Sequence, residues 1–196
     1  MAPKTALLVI DMQNFFSSMT TTALPNVKKL ISFFQSTSAP IIFTQHGHTT
    51  GELTTTPSPN QLVRKWGPEG SIARGSNDWE LQDGIKAFLP GPDSPAGTWP
   101  RLIDKNTYDA FINTDLARVL EGAGVDRAVV CGVMTDCCCD TTARSAFNRG
   151  YETWLVSDAC GSANKTQHQA GLKGFGFTFG EVLTTNAAIK LLKDGE

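Results

Sequence analysis

RAVVCGVMTDCCCDTTARSAFNRGYETWLV, residues 127–156, carries the pattern that decides the fold. It opens with Arg127–Cys131, an apolar, β-branched run that reads as a fully buried strand. The turn-like GVMTD follows, and then a helical pattern over Cys138–Arg149 that stops at Gly150, where a C-terminal cap belongs. Thr153–Val156 (TWLV) reads as the next buried strand. Strand, helix and strand in such close order require a right-handed crossover and parallel pairing.

The same rhythm extends outward in both directions. Thr5–Ile10, Pro40–Thr44 and Arg101–Asp104 are further buried strands, and Glu181–Thr184 is a weaker one. Helical patterns cover Leu24–Gln35, Thr114–Gly122, Gln167–Gly174 and Asn186–Lys193, with Gly122 as a second expected cap. The expectation is one domain over residues 1–196: a three-layer α/β sandwich with a six-stranded, mainly parallel sheet flanked by helices. Residues 45–100 break the rhythm. They are rich in Gly, Pro, Ser and Thr, hold three of the four tryptophans, and read as a lid or binding excursion.

Composition excludes some partners. A net charge of -2 with no long run of either sign leaves no basic face for nucleic acid or an anionic membrane. The apolar run Thr5–Ile10 stops at Asp11, too short for a signal peptide or a membrane span. A cytoplasmic protein with reduced thiols is expected. Its five cysteines are odd in number and clustered, which suits no disulfide framework. Adjacent residues on a helix point about 100° apart, so Cys137, Cys138 and Cys139 cannot all face one ion.

In an open parallel sheet, ligands bind beyond the carboxyl ends of the strands. Asp11, Lys105 and the cysteine trio all fall there. A thiol in the first turn of a helix would have its pKa lowered by the helix dipole, and Lys105 would act in the same direction. Asp11 would be the general base. Each residue also has an ordinary alternative: a small buried apolar Cys, a turn Asp, a solvated Lys. Spacing alone leaves that choice open.

The chain resembles the isochorismatase-like cysteine hydrolases, and within them the plant-type nicotinamidases. The matching motifs run nearly end to end: LLVIDMQNFF, IIFTQHGH, Trp66–Gly67, DKNTYDAF, GVMTDCCCDTTARSAFNRGY, SDACGSAN with QHQAGL, and FTFGEV. The resemblance implies a triad of Asp11, Lys105 and Cys138, with Cys137 and Cys139 as bystanders. It further implies a cis peptide at Val133–Met134 and an oxyanion hole from the backbone N–H groups of Met134 and Cys138. It implies an amidase acting on a small planar amide such as nicotinamide through a Cys thioester. Ureido, N-carbamoyl and maleamate-type amides are alternatives, as is isochorismate, whose vinyl ether relatives hydrolyse without the cysteine.

Phe16, His46, His48, Trp66 and Val133 are expected to contact substrate. Metal-using nicotinamidases carry an Asp-x-His…His set where this chain has Thr44, His46 and His48. With the carboxylate missing, no metal and no other cofactor is expected; His46 and His48 are the candidate ligands, and Glu52 a possible substitute. Phe15 stands where the family often has Asp, and Gln45 where the plant-type pattern has Arg, so pocket polarity and grip on the substrate are both open to change. His168, Cys131 and Cys160 read as structural. The implied partner is a small-molecule substrate, and relatives suggest a homo-oligomer.

Overall fold

The computed structural model describes residues 2–95 and 97–195. Met1, Ala96 and Glu196, which the sequence reading includes in the domain and, for Ala96, in the excursion, lie outside the described residues. Six strands form one sheet: β1 (Thr5–Ile10), β2 (Ile41–His46), β3 (Arg101–Lys105), β4 (Arg127–Val133), β5 (Glu152–Gly161) and β6 (Glu181–Leu183). Their order is β3-β2-β1-β4-β5-β6, and every pair is parallel. The helices are α1 (Ser17–Thr20), α2 (Leu24–Ser36), α3 (Thr50–Thr54), α4 (Gln61–Trp66), α5 (Asp83–Lys86), α6 (Leu116–Gly122), α7 (Asp140–Asn148), α8 (Lys165–Thr178) and α9 (Thr185–Asp194).

The layers follow from the apolar pattern. β1, β2 and β4 are buried at every position, as strands covered on both faces must be. α2 buries Val27, Leu30, Ile31 and Phe34 and packs with α9, while α7 packs with α8; both pairs lie against β5. Among the described residues, no helix is long and apolar enough to cross a membrane.

Several boundaries move, each for a local reason. β2 and β4 run two residues further than their apolar cores, through His46 and Val133, because their neighbours supply ladder partners there. β5 continues past Val156 to Gly161. Its polar interruption is satisfied in place: Ser157 donates to the Leu183 carbonyl, and Asp158 Oδ1 accepts from both Thr185 N and Thr185 Oγ1 at 2.7 Å. Gly122 is the last residue of α6 rather than a left-handed cap; that conformation falls to Gly124, at φ 63°. Gly150 does take it, at φ 94°. The excursion begins after β2, at residue 47, and folds into short helical pieces tied back to the sheet. The amide of Gly47 donates to Lys105 O, and that of His48 to Ile72 O.

Gly132 marks where β4 meets β1. Its φ is 117°, and a Cβ there would lie 2.1 Å from the carbonyl oxygen of Ile10. Gly132→Ala therefore combines backbone strain with a main-chain clash. A loss of about 3 kcal/mol in urea unfolding is expected; an unchanged midpoint would contradict this packing.

Candidate active site

Four neighbouring strands bring reactive groups to one end of the sheet. Asp11 follows β1, Thr44 lies on β2, Lys105 closes β3, and Cys138 sits in the turn after β4. Asp11 has φ 49°, in the left-handed region that Asp enters more readily than most residues. Its Oδ2 stands 2.7 Å from Lys105 Nζ, with both side chains fully buried. Asp11 Oδ1 accepts from Thr44 Oγ1 at 2.7 Å, and Lys105 Nζ donates to the Thr107 carbonyl at 2.9 Å. Buried charges persist only when paired and hydrogen-bonded, and these bonds meet that condition. Burial works against the Lys105 ammonium, but the Asp11 carboxylate beside it raises its pKa nonetheless.

Cys138 departs from expectation in two ways. It lies in a π-helical turn, Thr135–Cys139, and the α-helix proper starts only at Asp140. The amides on either side of it, Cys137 and Cys139, both donate to the Met134 carbonyl at 3.1 Å. Nor is the thiol's pKa lowered. Burial pushes it well up, Lys105 opposes this, and the Asp11 charge adds to it. Loss of water outweighs the lysine and favours the neutral thiol. The Val133–Met134 peptide is cis.

The turn is braced from behind. Thr135 Oγ1 donates to the Gly161 carbonyl at 2.9 Å and lies 2.8 Å from His168 Nδ1. Asp136 accepts from Ser162 and from Gln167 Nε2. His168 thus sits on the support side. Cys131, Cys139 and Cys160 are buried behind the turn, where burial first, and then the Cys160 contact, push the Cys139 thiol well up.

In front of Cys138 opens a cavity of about 350 Å³. Phe15, Phe16, Met19, Leu62, Ile72 and Met134 supply apolar wall; His46, His48, Ser71, Tyr108 and Cys137 supply its polar points. Trp66 stands at its edge, 57% exposed, and donates from Nε1 to Tyr108 Oη at 2.8 Å. A hollow of about 410 Å³, lined by Lys4, Pro40, Arg101 and Arg118 among others, has no thiol in its wall.

Of the residues expected at the substrate, Phe16, His46, His48 and Trp66 line this cavity and Val133 does not. Val133 is fully buried and packs with Phe16 and Ile72 in a small apolar cluster, because β4 runs through it into the sheet. Gln45 is also turned away. Its Nε2 donates to the Trp79 carbonyl at 2.7 Å, so this position braces the excursion rather than gripping a ligand. Phe15 does face the cavity, edge-on to Phe16 at 5.0 Å, and makes that wall apolar. Tyr108, Met19, Leu62 and Ile72 escaped the sequence reading. Tyr108 had a signal in its place three residues after Lys105; Met19 and Leu62 sit on the short helices α1 and α4 and Ile72 on a loop, none of which periodicity reveals.

The histidines do not complete a metal site. Burial, reinforced by Lys105, lowers the His46 pKa to about 3, so its ring is neutral, and its Nδ1 is buried without a hydrogen bond. Burial also lowers His48, whose ring meets that of His46 edge to face at 4.9 Å. Thr44 faces Asp11, so the position compared with a metal-binding carboxylate does not address the histidines. Glu52 lies 3.9 Å from His48 Nδ1. Partial burial disfavours its charge, but hydrogen bonds from the Thr49 amide, Asn60 and Asn106 hold it at about 2 and commit its oxygens. Among the described residues no three His, Cys, Asp or Glu side chains gather as a metal site.

A parallel α/β sheet with a buried acid, lysine and thiol beyond its strand ends defines a class of hydrolase sites. Residues 5–187 match the isochorismatase domain family. Nicotinamidase 3 of Arabidopsis thaliana is 38% identical over 174 residues, covering 89% of this chain and 81% of that protein. The ureidoacrylate amidohydrolase RutB of Serratia proteamaculans is 27% identical, covering 86% and 71%. The crystal structure of a cysteine hydrolase from Pseudomonas syringae pv. phaseolicola superposes with a TM-score of 0.81 at 27% identity, covering 98% and 94%. The chain belongs to the isochorismatase family and is a hydrolase.

The depressed pKa of His46 has a measurable consequence. Between pH 6.5 and about 3 the unfolded chain holds a proton on this residue that the folded chain lacks. Stability therefore falls as pH drops through that window. His46→Gln should remove one proton's share of the slope, about 1.4 kcal/mol per pH unit, in urea titrations between pH 4.5 and 6. An unchanged slope would contradict a neutral buried ring.

Proposed function

We propose that the protein is a cysteine amidase that hydrolyses a small, planar, uncharged amide, with nicotinamide the first candidate. The observation that carries the reading is a buried thiol in the wall of an apolar cavity, itself beside a carboxylate–ammonium pair. In one step the Cys138 thiol gives its proton to Asp11 and its sulfur attacks the amide carbon. Backbone N–H groups of Met134 and Cys138 hold the oxyanion. Asp11 then passes the proton to the departing ammonia. Water attacks the thioester, yields its proton to Asp11, and the expelled sulfur recovers it. Lys105 keeps the carboxylate and the transient thiolate compensated throughout. No cofactor enters any step.

The cavity wall favours neutral substrates. Among the described residues lining it, none is Lys or Arg, and His46 is uncharged. A carboxylate brought here would lose its water without a cation to replace it. That weighs against ureidoacrylate, the substrate named for RutB, against N-carbamoyl acids and maleamate, and against isochorismate. It is consistent with the similarity to Nicotinamidase 3. Phe16 and Trp66 offer flat faces to a planar ring, and His46 and His48 offer it hydrogen bonds.

Ammonia release from nicotinamide by the wild type and by Cys138→Ala tests the proposal. Turnover by the wild type, reduced about a thousandfold or more in the variant, is expected. Full activity in Cys138→Ala would end the cysteine mechanism, and preference for a carboxylated amide would end the substrate assignment.

A further inference from the structure

The Thr44 hydroxyl touches Asp11 twice. The Asp11 amide donates to Thr44 Oγ1 at 3.1 Å, and Thr44 Oγ1 lies 2.7 Å from Asp11 Oδ1. An amide N–H can only donate, so the hydroxyl accepts on that side, and its single proton is left for Oδ1. Both residues are fully buried, with no exposure to solvent that could offer a substitute partner. The hydroxyl rotor is therefore fixed, and with it the plane of the carboxylate.

The two carboxylate oxygens are left unequal. Oδ1 is engaged by a donor that cannot turn away. Oδ2 lies 2.7 Å from the Lys105 ammonium, which also donates to the Thr107 carbonyl.

We propose that Thr44 is a positioning residue for the reaction: by holding Oδ1 from the neighbouring strand, it fixes the orientation of the Asp11 carboxylate that carries the proton between Cys138 and the leaving group. The S–H bond of Cys138 breaks as an O–H bond forms at the Asp11 carboxylate, and the sulfur electron pair attacks the carbonyl carbon. The same proton then passes to the departing nitrogen. The turnover consequence rests on the amidase reading; the effect on thiol deprotonation does not. Thr44 thus serves the acid–base pair and is more than a lost metal ligand.

Two readouts on three proteins test this. Thr44→Val removes the hydroxyl at nearly constant shape, and Thr44→Ser keeps it; Thr44→Ala replaces the valine variant if that one does not fold. The first readout is amide turnover, where Thr44→Val should lower kcat about 10- to 100-fold with KM within about threefold. Thr44→Ser should recover most of the loss. The second is alkylation of Cys138 by iodoacetamide, which displaces iodide as the thiol proton leaves. It is read by peptide mass spectrometry, because Cys137 also lines the cavity. The valine variant should slow at Cys138 while the serine variant stays near wild type. Equal rates in wild type and Thr44→Val, or equal losses in the valine and serine variants, would overturn the proposal. If no amide is hydrolysed by the wild type, the amidase reading falls and the alkylation rates still decide the role of Thr44.

Discussion

The buried pair of Asp11 and Lys105 is the constraint around which this site is arranged. Two charges taken out of water are costly, and removing one partner of such a pair typically destabilises a protein by about 3–5 kcal/mol. The pair spans the ends of β1 and β3, with β2 between them, so it requires all three strands in register. The Thr44 hydroxyl and the Thr107 carbonyl complete its hydrogen bonds. Cys138 comes from the fourth strand's turn. Its burial favours the neutral thiol.

The cavity adds selection to this chemistry. The Asp11 and Lys105 charges are paired out of solvent, and the cavity wall is largely aromatic and aliphatic. Such a division suits a ligand whose reacting group is polar and whose body is flat and neutral. The excursion after β2 supplies Leu62, Trp66, Ser71 and Ile72, so part of the cavity wall comes from a segment outside the sheet. The Trp66–Tyr108 hydrogen bond ties this segment to the loop that follows Lys105.

The sheet was legible because each strand is a short apolar run between turn residues, and the alternation with helices leaves one topology class. Asp11 and Lys105 were legible because they interrupt or end such runs at the ligand-binding edge. The state of Cys138 was not. A sequence shows a thiol near a helix start, but not the depth that reverses the effect of the lysine. Gln45 and Thr44 are adjacent on one strand and face different neighbours, which only the packed excursion reveals. Val133 was misplaced for the related reason that motif membership does not show which side chain reaches the cavity. The partners of Glu52 lie on two separate loops, out of reach of any local pattern.

In the proposed mechanism Cys138 carries the acyl group. Acid quenching of the wild-type protein during nicotinamide turnover, followed by peptide mass spectrometry, tests it most directly. A pyridine-3-carbonyl adduct on Cys138 is expected, diverted to the hydroxamate when hydroxylamine is present. An adduct on another residue, or turnover from which hydroxylamine diverts no product, would contradict it.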